Sequence, residues 1–206
     1  KCLRRTDGSV DYFLALLQDI TERKRSEKVL RESEALIAGE LAAMKRLQEL
    51  STRLVNDGDK TSLLQEVIDA AIVITDTGMG NVQLLDRSTG ALNIVASRGL
   101  SAKFLNHFSA ICGHSGSCQA AMRDGSRVIV GDVTDSIFEG DDLAMMLAEG
   151  ARAVQSTPLT SRSGEVLGIL STHYRRPHIP AERDLRILDL LARQAADWIE
   201  RTGIGG

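Results

Sequence analysis

The sequence feature that most constrains the fold is an uninterrupted helical stretch from Thr21 to Asn56. It contains no proline and a single glycine, Gly39, so it can form one helix of about 35 residues, or about 50 Å. Asp19 or Thr21 can cap its start, and Glu22 supplies an acidic side chain to its first turn. We therefore expect a long helix that must bury its apolar side on another element.

The apolar residues of this helix form a narrow stripe that widens towards its C-terminal end. Leu30, Ile37, Leu41 and Met44 follow at spacings of seven, four and three residues, as in the seam of a coiled coil. The alternative interpretation is a solvated surface helix. Because so narrow a stripe on so long a helix is normally buried against a copy of itself, we expect these four residues to form a dimer seam.

The first twenty residues have the pattern of a strand that follows a turn. Thr6-Asp7-Gly8-Ser9 is a turn sequence, and the run from Val10 to Gln18 is apolar, aromatic and of strand length. A single strand cannot bury either of its faces. We therefore expect an orphan strand whose partners lie upstream of residue 1.

Beyond Asn56 some segments space their apolar residues as a helix does and others as a strand does. This mixture predicts an α+β fold. The predicted helices are Lys60–Ile74, Leu100–Phe108, a short helix capped by Ser117 that ends at Asp124, Asp141–Glu149 and Ala181–Arg201. The predicted strands are Asn81–Leu85, Ala91–Ser97, Arg127–Val130, Ala153–Leu159 and Val166–Tyr174.

The closing helix carries two neighbouring apolar stripes. One stripe contains Leu185, Leu188, Ala192, Ala195 and Ile199, and the other contains Ile187, Leu190, Leu191 and Trp198. Two apolar faces require two packing partners. We expect the domain's own sheet on one face and an earlier helix or a second subunit on the other.

Composition excludes several classes of function. Aromatic residues make up 3% of the chain and the net charge is −3, so we expect no nucleic-acid partner. No apolar run approaches the roughly 20 residues that span a bilayer, and no secretion signal opens the sequence, so we expect no membrane contact. The three cysteines are odd in number and suit a reducing cytoplasm.

Several segments in order resemble a GAF domain, a small-molecule sensory module of bacterial signalling proteins, over residues 47–203. The matching segments are Met79–Leu85, Cys112-Gly113 with Gly125–Val133, Ala153–Leu159, Gly168–His173 and Leu188–Asp197. The resemblance implies a central antiparallel sheet flanked by helices, with the first and last helices on one side. It also implies a parallel homodimer through these two helices.

The N-terminal segment resembles the exit of a PAS domain, because Asp19-Ile20-Thr21-Glu22-Arg23-Lys24 matches the sequence that ends such domains. This resemblance assigns residues 1–20 to a truncated PAS domain and residues 21–56 to a signalling helix that overlaps the first helix of the GAF domain. It implies that Asp19, Ile20 and Thr21 relay a signal from the PAS sheet as a rotation or register shift of the helix.

The GAF resemblance also places a candidate ligand pocket between the sheet and the segment from Phe108 to Glu149. By position alone, the candidate lining residues are Cys112, Cys118, Phe138, Gln155, Thr157 and His173. The identity of a small ligand stays open at this point.

A metal or cofactor site is the main alternative. Cys112, His114 and Cys118 supply at most three ligands, and their spacing matches no paired-cysteine zinc motif. Neither cysteine is followed by the histidine typical of bilin-binding GAF domains, and no motif supports haem ligation by His107, His114 or His173. We therefore expect no metal and no cofactor, while a redox sensor built on Cys112, His114 and Cys118 stays an alternative.

No catalytic motif is present in the sequence. None of its four histidines is followed by the acidic residue that usually follows the phosphoacceptor histidine of a kinase. The sequence also lacks a glycine-rich nucleotide lid and a nucleophile elbow. We therefore expect no enzymatic activity from this fragment. The sequence favours a regulatory input fragment of a bacterial cytoplasmic signalling protein, in particular a sensor histidine kinase. A GAF domain without a ligand that serves as a spacer or dimerisation module is the further alternative.

Overall fold

The computed structural model describes residues 2–4, 6–8, 10–13, 19–31, 33–34, 60–109, 116–135 and 137–204. The chain divides into two compact units, Lys1–Ala42 and Ala43–Gly206.

The N-terminal unit begins with a β-hairpin. Strand β1 (Cys2–Arg4) pairs antiparallel with β2 (Val10–Phe13), and Gly8 in the connecting turn has a φ of 86°, which glycine adopts readily. The expected orphan strand is therefore wrong, because the predicted turn folds the preceding residues back onto it. Residues 14–18 of the predicted strand lie outside the described residues.

Helix α1 follows the hairpin and is described over residues 21–31. The backbone N–H of Thr21 donates to Asp19 Oδ1 at 2.8 Å. Hydrogen bonding from the Thr21 side chain and, next, from its backbone N–H lowers the pKa of the Asp19 carboxyl. Asp19, not Thr21, thus satisfies a free amide at the helix start. Leu30 is 59% exposed, whereas Ile37, Leu41, Met44 and the predicted continuation to Asn56 lie outside the described residues.

The second unit is built on a five-stranded antiparallel sheet in the order β4-β3-β7-β6-β5. Its strands are β3 (Met79–Asp86), β4 (Ala91–Arg98), β5 (Val128–Val130), β6 (Ala153–Thr160) and β7 (Val166–Tyr174). The register between the two central strands, β3 and β7, places Met79 opposite His173 and Asn81 opposite Ser171. Two hairpins, β3–β4 and β6–β7, therefore meet at the middle of the sheet.

Five helices accompany this sheet among the described residues. They are α2 (Lys60–Ile74), α3 (Ala102–Phe108), α4 (Ser117–Asp124), α5 (Gly140–Glu149) and α6 (Glu182–Thr202). The α+β class and the GAF-like architecture predicted from the sequence are confirmed. The predicted cap of α4 is wrong, because Gly116 precedes the helix and buried Ser117 is its first residue.

Helices α2 and α6 pack together on one face of the sheet and form the larger apolar core with it. Leu188, Leu191, Trp198 and Ile199 of α6 are all buried there. Both stripes of the closing helix thus find partners within this unit, namely the sheet and α2, while Leu190 stays 43% exposed. Helices α3, α4 and α5 lie on the other face, where the remaining core residues surround a cavity.

No helix in the described part of the chain combines the length and the apolar character needed to cross a membrane.

Candidate functional site

A cavity of about 40 Å³ lies between the sheet and helices α3, α4 and α5. Since one water molecule needs roughly 10–15 Å³ of such space, it holds about three waters or a molecule of a few non-hydrogen atoms. Its lining consists of Asn81, Gln83, Leu92, Phe104, Phe108, Gly116, Ser117, Cys118, Gln119, Phe138, Met146 and His173.

The floor of the cavity is polar because two neighbouring strands present polar side chains to it. Asn81 and Gln83 lie two residues apart on β3 and therefore share one face of the sheet. Val82 and Leu84 point to the opposite face, into the core shared with α2 and α6. His173 lies on the adjacent strand β7, opposite Met79, and completes the polar floor.

These three side chains are almost fully buried, yet several of their polar atoms are unpartnered. The exposed fractions of Asn81, Gln83 and His173 are 2%, 4% and 3%. Asn81 Oδ1, Gln83 Oε1 and both ring nitrogens of His173 have no hydrogen-bond partner among the described residues. A buried unsatisfied polar group costs about 1–3 kcal/mol, so these four atoms make the floor a costly arrangement in the absence of further hydrogen-bond partners.

His173 is held in its neutral form. Burial lowers the pKa of its imidazole to about 4, because the charged ring loses its hydration. The hydroxyl of Thr77 donates to the carbonyl of His173, and the ring of Phe104 contacts its imidazole edge-to-face at a centroid distance of 5.4 Å. At neutral pH the ring therefore offers one N–H donor and one acceptor nitrogen.

The wall of the cavity is aromatic. Phe104 and Phe108 pack with ring centroids 4.7 Å apart, and Phe138, which is 6% exposed, closes another side. Gly116 has a φ of 144°, and a Cβ atom at this position would lie 2.7 Å from the Phe138 ring. Glycine is therefore required at the entry to α4 for the ring to approach the cavity.

Hydroxyl groups anchor the start of α4 to the sheet. The hydroxyl of Ser156 donates to Ser117 Oγ at 2.9 Å and lies 2.8 Å from Ser171 Oγ. The thiol of Cys118 lies 3.4 Å from Ser171 Oγ. Burial raises the pKa of this thiol, so Cys118 stays protonated at neutral pH, and a protonated thiol is a poor nucleophile.

The described lining contains no aspartate, glutamate, lysine or arginine. The Asp142 carboxylate of α5 contacts His107 of α3, whose Nε2 lies 2.8 Å from Asp142 Oδ1. Neither residue belongs to the lining. The site thus combines neutral hydrogen-bonding groups with an apolar wall.

The structure brings together only part of the predicted pocket. Cys118, Phe138 and His173 line the cavity, and Cys112 lies outside the described residues. Gln155 and Thr157 do not line it, which corrects their prediction. Both residues alternate with Ser156 along β6, so they face the opposite side of the sheet, which α2 and α6 cover. There Arg127 donates to Thr157 Oγ1 and to the Leu185 carbonyl of α6.

Sequence reasoning missed Asn81 and Gln83. Polar residues that alternate with apolar ones usually mark a solvent-exposed strand face, and Asn81–Leu85 has this pattern. The sequence does contain one signal for a buried polar face: it predicts enough helices to cover both sides of the sheet. A polar strand residue beneath such a helix is buried and needs a hydrogen-bond partner.

The proposed metal ligands Cys112 and His114 also lie outside the described residues. Within the described ranges, no group of three or more histidine, cysteine or acidic side chains could hold a metal ion. Cys118 is a free cysteine.

Comparison with known families gives one match over most of the chain. The family model described as a GAF domain matches residues 58–200, which include the whole sheet and helices α3 to α5.

Individual relatives are more distant. The chain is 27% identical over 199 residues to a methyl sulfide methyltransferase-associated sensor of Methanosarcina acetivorans, and the match covers 96% of this chain but 18% of the relative. The chain therefore spans less than a fifth of the length of this relative.

Two solved structures share the fold. A domain from Sinorhizobium meliloti assigned to a two-component sensor histidine kinase is 22% identical with a TM-score of 0.62, covering 72% of this chain and 95% of that one. Free methionine-R-sulfoxide reductase from Neisseria meningitidis, in complex with its substrate, is 19% identical with a TM-score of 0.64 and coverages of 79% and 92%. At these identities the likeness concerns the fold alone.

Proposed function

This chain belongs to the GAF domain family, and from that membership we propose that it is a sensory domain that binds a small molecule in the cavity between the sheet and helices α3 to α5. The proposal extends to a role in regulating a longer signalling protein. The similarity to a sensor of Methanosarcina acetivorans supports that context.

The observation that carries the proposal is the polar floor of Asn81, Gln83 and His173. A core that served only as a spacer would gain stability from apolar side chains at these positions, since unpartnered polar atoms are costly to bury. The chain instead places four unpartnered atoms of three residues against one cavity. Retaining them is explained by a ligand that provides the missing hydrogen bonds.

The signalling part of the proposal concerns the first unit. A ligand shifts the equilibrium between two arrangements of a protein only if it binds one of them more tightly. The GAF domain would bias such an equilibrium in the signalling helix, with Asp19, Ile20 and Thr21 as the junction to an upstream PAS domain and a histidine kinase as the output.

An enzymatic alternative is less well supported by the site. The similar Neisseria protein is a reductase, but burial raises the pKa of Cys118, and a protonated thiol is a poor nucleophile at neutral pH. Cys118 is thus better suited to packing the cavity wall than to redox chemistry.

The test is thermal unfolding of the full chain against a panel of metabolites of different size and charge. A compound present at 100 times its Kd stabilises the folded state by about 2.7 kcal/mol, so we expect at least one compound to raise the Tm. The rise should disappear in Gln83→Met, which alters the floor of the cavity.

The matched control is Gln194→Met. The Oε1 atom of Gln194 is also buried without a partner among the described residues, but it lies on α6, away from the cavity. The control should keep the ligand-induced rise in Tm. A silent panel, or a rise that survives in Gln83→Met, would contradict the proposed site.

A further inference from the structure

The ligand class can be inferred from the chemistry of the cavity floor, an inference that rests on the proposed function. We propose that the cavity selects small uncharged molecules that carry a primary amide or urea-type group, and that it rejects carboxylates and amidinium or ammonium cations of the same size. Charge, hydrogen-bonding capacity and volume each support this class.

The first argument is the absence of a counter-charge. None of the described lining residues carries a formal charge, and the three side chains of the floor are at most 4% exposed. An ion that enters such a site loses its hydration and gains no opposite charge from the described lining in return. The Asp142 carboxylate does not provide one, because it is paired with His107 outside the lining.

The second argument is the match of donors and acceptors. Asn81 Oδ1 and Gln83 Oε1 are acceptors that receive no hydrogen bond from the described residues. Neutral His173 provides one donor and one acceptor, which are also unpartnered among those residues. A primary amide offers two N–H donors for the two amide oxygens and one carbonyl acceptor for the imidazole N–H, and the acceptor nitrogen of His173 is left without a donor from the amide. A carboxylate has no donor for the two amide oxygens, and an amidinium has no acceptor for the imidazole N–H.

The third argument is size. The cavity volume of about 40 Å³ corresponds to roughly three waters, which matches a molecule of about four non-hydrogen atoms. Leu92, Met146 and the three phenylalanines form an apolar wall beside the floor, so we expect the part of the ligand beyond its amide to be apolar and small.

The experiment uses three probes of nearly the same shape: acetamide, acetate and acetamidinium. Each is titrated into the isotope-labelled full chain at pH 7, and binding is followed by the NMR shifts of Asn81, Gln83 and His173. We expect saturable binding of acetamide, with a Kd on the order of millimolar for so small a ligand. Acetate and acetamidinium should bind at least about tenfold more weakly, as expected when a buried polar group is left unpaired.

Two variants test the floor itself. Asn81→Leu and Gln83→Met each replace an acceptor by an apolar side chain of similar volume, and each should weaken acetamide binding at least about tenfold. Since each also removes an unpartnered buried atom, the Tm of the free protein should be unchanged or higher. A residue with only a structural role would lower the Tm. Gln194→Met is again the control and should leave acetamide binding unchanged.

The outcomes separate this inference from the proposed function. If acetate or acetamidinium binds at the floor as tightly as acetamide, the ligand class is wrong while ligand binding in the cavity stands. If acetamide binds equally well to Asn81→Leu and Gln83→Met, its binding does not depend on the floor and the inference fails. If neither the three probes nor the metabolite panel affect the cavity, both proposals fail.

Discussion

His173 illustrates how one buried side chain couples the site to pH. Its folded-state pKa of about 4 lies below the value of about 6.5 for an unfolded histidine. Above pH 6.5 neither state binds a proton at this residue. Between pH 6.5 and 4 only the unfolded state does, so acidification favours unfolding.

The prediction is a pH-dependent loss of stability that can be removed by mutation. From pH 7.5 to pH 5, His173 alone should reduce the free energy of unfolding by about 2 kcal/mol. His173→Gln, which does not titrate, should lose correspondingly less stability over this range. Urea unfolding at the two pH values measures both free energies.

The control for this prediction is His178→Gln, a substitution of an exposed histidine just beyond the end of β7. It should show the same loss between pH 7.5 and pH 5 as the unmodified chain. If His173→Gln loses as much stability as the unmodified chain, the pKa of His173 is not lowered by folding, and the imidazole is protonated in the folded state at pH 5.

At the same scale, individual residues show where sequence reasoning ends. The predicted pocket residues Gln155 and Thr157 lie on the wrong face of β6, because a strand position one residue away from Ser156 points to the other side of the sheet. The face of a strand follows from the layers that cover it. Those layers depend on contacts between distant elements, which sequence periodicity does not specify.

At the scale of elements the sequence was far more informative. The predicted bounds of α2 coincide with the observed Lys60–Ile74, and β7 coincides with Val166–Tyr174. Periodicity and turn residues are local signals, so they locate such elements well. The failures at this scale concern partners: β2 pairs with β1, and Ser117 bonds to Ser156 of β6 instead of capping α4.

The close approach of β3 and β7 leads to a prediction at Gly168. A Cβ atom at this position would lie 2.2 Å from the carbonyl oxygen of Gln83 and 3.0 Å from Leu84 Cδ2. Gly168→Ala therefore has to push apart the two central strands, which should cost about 1–3 kcal/mol. The free energy of unfolding in urea measures this cost.

The matched control is Gly78→Ala, just before β3, where a Cβ atom would meet nothing within 4 Å. A substitution at such a site is expected to change stability by no more than about 0.5 kcal/mol. Because the clash involves the backbone of Gln83, Gly168→Ala should also weaken ligand binding in the cavity. Equal stabilities of the two variants would show that the strands can separate without cost.

At the scale of the whole molecule, helix α1 is exposed along the residues that the structure describes. Every residue from 19 to 31 is exposed, including Val29 at 64% and Leu30 at 59%. Exposed apolar residues on a helix without a covering element are favourable sites for another helix. We propose that a second copy of this chain covers the stripe that begins at Leu30.

The prediction is a dimer that depends on the seam of Leu30, Ile37, Leu41 and Met44. Placing a charge in a coiled-coil seam leaves it buried and unpaired, so Ile37→Glu, Leu41→Glu and Met44→Glu should each shift the protein towards monomer. Sedimentation at concentrations of tens of micromolar gives the fraction of dimer, which should be high only in the unmodified chain.

Lys28→Gln is the control for charge, since it makes the net charge more negative by the same amount as each seam variant. At 3.6 residues per turn, position 28 lies about 160° around the helix from Leu30, so this substitution should leave the dimer intact. Loss of the dimer in Lys28→Gln as well would point to charge repulsion instead of a seam. A monomeric unmodified chain at these concentrations would disprove the dimer.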